Sequence, residues 1–119
     1  MVLPEQLKIT KKVIKDSAPN NCYRCALAVA FSEKLNIFAP DVVAVTFNTI
    51  SFRINNEEKR VKLGHALQYW LERYDQAPLT VPTIDICLQE HGTLVYELHP
   101  KYKNKFINYG DTNYSTTES

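Results

Sequence analysis

Apolar residues recur along this chain at two different spacings, and each change of spacing marks a new element. Leu7 and Ile9 alternate with polar neighbours, so residues 7–10 read as a short first strand. Residues 11–16 follow as a helical turn that ends before the loop Ser17-Ala18-Pro19-Asn20-Asn21. From Cys22 the period changes. Cys22, Cys25, Ala26, Val29 and Ala30 fall three and four apart, with Arg24, Glu33 and Lys34 left for the solvent side. This predicts a helix over 22–35, capped by Asn20 or Asn21, whose small side chains allow close packing on a sheet.

After Pro40 the period becomes two. Val43, Val45 and Phe47, then Ile50, Phe52 and Ile54, share one face, with Thr46, Ser51 and Arg53 on the other and Asn48-Thr49 as the tight turn of a hairpin. The polar run Asn55-Asn56-Glu57-Glu58 then leads into a second helix, where Leu63, Ala66, Leu67, Trp70, Leu71 and Tyr74 form one broad apolar face. Asp75 and Pro78 close it. Alternation returns over 81–88, with Ile84, Ile86 and Leu88 inward, and Gly92 permits a turn into a last strand over 93–98.

The predicted order is strand, helix, strand, strand, helix, strand, strand. The economical arrangement is an α+β domain, an antiparallel or mixed sheet of about four to five strands with two helices packed on one face. Residues 1–100 form this single domain. Residues 101–119 have tyrosines and lysines but too few aliphatics for a core element, and read as a partly flexible basic-aromatic arm.

Composition narrows the function classes. A chain of 119 residues is long enough to bury one core without metals or disulfides. Its net charge of +1 gives no global electrostatic footprint for nucleic acid, so only a local basic patch is left to bind phosphate. No stretch approaches the roughly 20 apolar residues of a membrane span, and the start MVLPEQLKITKK has no signal-peptide core. The expected location is the cytoplasm, with no membrane partner. Cys22, Cys25 and Cys87 form an odd set with no disulfide framework, in keeping with a reducing compartment.

Several patterns occur in a fixed order: Ile9-Thr10 before Val13-Ile14, then Cys25-Ala26-Leu27-Ala28-Val29-Ala30, a hairpin, Trp70-Leu71 through Tyr74-Asp75, and Val81-Pro82. Together they resemble a family of small uncharacterised proteins of bacteriophages and of bacterial genomes carrying phage-like genes. The resemblance covers about residues 6–88. Relatives usually carry proline where this chain has Ala26, and often phenylalanine where it has Thr83. The resemblance implies a small phage-type accessory protein and brings no established activity with it.

Candidate chemistry is sparse. Cys22-x-x-Cys25 at a helix start suits thiol exchange or half of a zinc site. The remaining ligands would have to come from Cys87, His65, His91 or His99, which form no second paired knuckle, so packing as small hydrophobes is the simpler reading. The chain contains no G-x-S-x-G motif, and its three glycines make no phosphate-cradling loop. Lys59, Arg60 and Lys62, offset by Glu57 and Glu58, read as a solvated face before the second helix. The better basic-aromatic cluster is Lys101, Tyr102, Lys103, Lys105, Phe106 and Tyr109. It suits protein anchoring, or phosphate tracking with base stacking.

The expectation is a protein without enzymatic activity, cofactor or metal, acting by binding a host macromolecule, with inhibition of a host defence component as one form of that role. A nucleic-acid-binding role for the arm and a thiol-redox or zinc role for Cys22 and Cys25 are the alternatives. Self-association through the arm's aromatics also stays open.

Overall fold

The alternation read over 43–54 is a hairpin in the computed structural model, which describes residues 3–37 and 42–102, and the meander runs one strand further than expected. Strand β1 is Gln6–Ile9, β2 is Val43–Val45 and β3 is Thr49–Ile54. β2 and β3 pair across a turn in which Thr46 N–H donates to Thr49 O at 2.8 Å. The polar run after β3, expected to lead into a helix, turns back at once. Asn55 and Asn56 take positive φ of 53° and 65°, the left-handed pair that a two-residue hairpin turn requires and asparagine tolerates. β4 (Glu57–Leu63) therefore returns along β3. Lys59, Arg60 and Lys62 are exposed strand residues rather than the approach to a helix. Glu58, on the same strand, forms ion pairs with Arg53 at 3.2 Å and Arg60 at 2.7 Å.

Helix α1 (Lys11–Asp16) is capped by Thr10, whose hydroxyl accepts from Val13 N–H at 3.2 Å. Helix α2 begins at Ala26, not at Cys22, and runs Ala26–Lys34 with Cys25 as its N-cap residue. Neither asparagine caps it. Asn21 instead organises the preceding loop, its side chain accepting from Tyr23 N–H at 3.0 Å and its carbonyl from Cys25 N–H at 2.9 Å.

Helix α3 (His65–Gln76) starts directly after β4 and lacks a polar residue at its N-cap, which is Gly64. A side chain 30 residues away supplies the cap. Glu97, only 9% exposed, accepts from Leu67 N–H at 2.9 Å, from Ala66 N–H at 3.3 Å and from Leu98 N–H at 2.8 Å. A carboxylate at a helix N-terminus satisfies unpaired N–H groups and meets the positive end of the helix dipole. The cap explains the glycine: a Cβ at position 64 would collide with the Glu97 carboxylate.

After a 3-10 turn (Pro78–Thr80), β5 (Ile84–His91) and β6 (Thr93–Leu98) form a hairpin around Gly92, whose φ is 78°. Among the described residues the sheet has six strands in the order β1-β5-β6-β4-β3-β2, one more than the upper expectation, the extra being β4. It is mixed. Every pairing is antiparallel except β4 with β6, where Lys62 faces Val95 and Leu63 faces Tyr96.

Leu7, Ile9, Ile50, Phe52, Leu63, Ile86, Tyr96 and Leu98 line the face that packs against the helices. α2 touches both edge strands, so the sheet curls around it. Phe31 sits at the centre of that curl, edge-on to Phe52 at 5.3 Å and to Tyr96 at 4.7 Å between ring centroids. From α3, Trp70 stacks on Tyr74 and donates its indole N–H to Pro82 O at 3.0 Å. This is the expected α+β architecture. Among the described residues no helix is long and apolar enough to cross a membrane.

Candidate binding groove

The loop 17–25 is pinned at two points along its middle. Asn20 N–H donates to the Asp75 carboxylate at 2.8 Å and its side-chain amide to Asp75 O at 3.1 Å, tying the loop to the end of α3. Cys22 O accepts from Val45 N–H at 2.8 Å, tying it to the outer edge of β2. The Tyr74 and Ser17 hydroxyls share a further hydrogen bond beneath it. Between this loop, the β2–β3 turn and α3 lies an open groove of about 470 Å³.

Val45 and Leu71 give its lining buried aliphatic side chains; Asn21, Gln68, Glu72, Asp75 and Gln76 supply polar groups, and among the described residues no lysine or arginine takes part. Phe47 stands at the rim, 75% exposed. The alternation Val43, Val45, Phe47 placed this ring with the inward residues. Only the two valines follow that pattern, because the chain leaves β2 at Thr46 and the turn carries Phe47 outward. Its position beside Asn48, at a predicted turn, was the available signal.

The two thiols of the Cys-x-x-Cys also line this groove, in unlike surroundings. Cys22 is exposed and Cys25 is buried. Burial pushes the Cys25 thiol up from its ordinary 9.0 to about 11, against the opposing pull of the Ala28 and Leu27 amides at the helix start. Desolvation outweighs the helix terminus here, and the group stays a neutral thiol at neutral pH. Cys87 is half-buried on β5, on the face turned away from Ile84 and Ile86, where its sulfur accepts from Gln89 at 3.5 Å. Among the described residues no group of three or more His, Cys, Asp or Glu is arranged to hold a metal ion. His65 is exposed at the start of α3, and His99 is half-buried, its Nδ1 accepting from Lys101 N–H at 3.2 Å.

Of the basic-aromatic cluster, Lys101 and Tyr102 are described; Lys103, Lys105, Phe106 and Tyr109 lie outside the described residues. Lys101 is paired with Asp85, whose hydrogen bond raises the lysine pKa. Its ammonium also lies 5.1 Å from the centre of the Tyr102 ring, which packs half-buried against the core. These two residues sit by the start of β5, away from the groove around Phe47.

Comparisons with family models, with curated proteins and with solved structures return no match to this chain.

Proposed function

We propose that this chain is a non-enzymatic binding protein, a small phage-type accessory protein that engages a host protein through the groove beside Phe47. Phe47 is the observation that carries the reading. A phenyl ring exposed at the rim of a groove with an apolar floor is the anchor arrangement protein interfaces use, since burying such a ring contributes about 1.5–3 kcal/mol. Glu72 and Asp75, with no basic neighbour among the described lining residues, repel phosphate, so the groove suits a cationic, partly apolar segment of a protein rather than a nucleic acid. Inhibition of a host defence component is the form of this role that the phage-type resemblance suggests.

The test is affinity capture from bacterial lysate with tagged wild-type chain and Phe47→Ala, each with and without nuclease. The expected result is a stoichiometric protein that survives nuclease and is lost with Phe47→Ala, while the variant melts with the wild type. Recovery unaffected by Phe47→Ala moves the interface elsewhere. Recovery that vanishes with nuclease transfers the role to nucleic acid and to Lys101, Lys103 and Lys105.

A further inference from the structure

The sheet ends differently at its two edges. On β2 the Val45 N–H, which points away from β3, is taken up by Cys22 O. Among the described residues β1 has no such cover. Leu88 N–H donates to Glu5 O at 2.8 Å, and this sets the parity of the β1–β5 ladder: Glu5, Leu7 and Ile9 turn their main-chain groups toward β5. The N–H and C=O of Gln6 and Lys8 therefore point out of the sheet, and both residues are exposed. Among the described residues these four groups have no hydrogen-bond partner.

A groove of about 560 Å³ opens beside β1, lined by Gln6, Leu7 and Lys8 with Ala30, Glu33 and Lys34 of α2, and it extends inboard to Asp85 and Ile86 of β5. An open strand edge beside a helix is the geometry in which extended peptides are added to sheets. The charge around it is lopsided. Lys8 and Lys34 make no ion pair among the described residues, and α1 adds exposed Lys11 and Lys12 just beyond the end of β1, against Glu5 and Glu33. Lys101, also in the lining, is neutralised by Asp85.

We infer that β1 is a docking strand that adds an extended, acidic segment of a partner protein to the sheet as a seventh strand. Main-chain bonds to Gln6 and Lys8 hold the segment, and carboxylates along one of its faces meet Lys8, with Lys34 on the α2 side adding to the positive field. This surface shares no lining residue with the groove at Phe47 and stands independently of that reading.

The probe is a fluorescent ten-residue peptide of alternating Thr and Glu, compared with its Thr-Lys counterpart and with a Thr-Glu peptide N-methylated at alternate residues. The full chain is expected to bind the Thr-Glu peptide. Both the N-methylated peptide and Gln6→Pro, which deletes one outward N–H without touching the β5 ladder, should weaken binding about tenfold. Lys8→Glu with Lys34→Glu should weaken it further and reverse the preference toward the Thr-Lys peptide. In wild-type protein, amide exchange at Gln6 and Lys8 should slow on peptide addition. Three results overturn the proposal: no binding at about 1 mM peptide, equal binding of the N-methylated or Thr-Lys peptide, or slow exchange at Gln6 and Lys8 without peptide in a concentration-dependent dimer. The last assigns the edge to a second copy of the chain.

Discussion

Cys22 and Cys25 share a loop and a groove but not an environment, and their chemistry separates accordingly. The exposed Cys22 should react with a maleimide at neutral pH, while Cys25, buried and held protonated, should react only on unfolding. Mass spectrometry of native and urea-treated samples reads this directly: one label, then more. Fast labelling of Cys25 in the folded chain would restore the thiol-redox reading. The spacing of these cysteines was legible in the sequence, but the burial that decides their reactivity was not, because it depends on how α2 seats inside the curled sheet. Phe47 shows the converse. Its identity and its turn neighbour were both visible, and only the point at which β2 ends turned an apparent core residue into an exposed one.

Among the elements, α3 depends most on a distant residue. Its cap is the buried Glu97 carboxylate, and the space for that carboxylate exists because position 64 has no side chain. Gly64 has a φ of −68°, which any residue adopts, so the need is for room rather than for conformational freedom. Gly64→Ala should displace the carboxylate and destabilise the protein by at least about 2 kcal/mol, with Glu97→Ala costing about 1–3 kcal/mol through the lost cap. Urea unfolding of the double variant should then show less than the sum, since the methyl group added at position 64 meets no carboxylate once Glu97 is gone. Strict additivity would mean that the two positions act separately. A cap that joins residues 30 positions apart leaves no local trace, whereas the apolar face of α3 was plain from its three-and-four spacing. β4 was missed for a related reason. Four exposed charged residues at its start carry no alternation, and its identity as a strand comes from the Asn55-Asn56 turn and from having β3 and β6 on either side.

At the scale of the whole molecule, three acidic protons among the described residues are held inside the fold. Burial raises the pKa of Cys25, of Tyr74 and of Tyr96, whose hydroxyl donates to Pro4 O at 2.8 Å. Each folded-state pKa lies above its unfolded value, so the folded chain keeps protons that the unfolded chain releases. Stability contributed by these groups is full below about pH 9 and declines as pH rises toward and past 11. Thermal melts across that range should show a falling Tm, with a shallower decline for Cys25→Ala; a flat profile would mean that these groups ionise without unfolding. The pairing of β1 with β5 acts on a different axis, that of time. About 80 residues separate Gln6 from its partner Cys87, which at ribosomal speeds is roughly 4–16 s of synthesis. Through that interval β1 waits for the strand it pairs with, and that side of the sheet is completed only when the β5–β6 hairpin has been made.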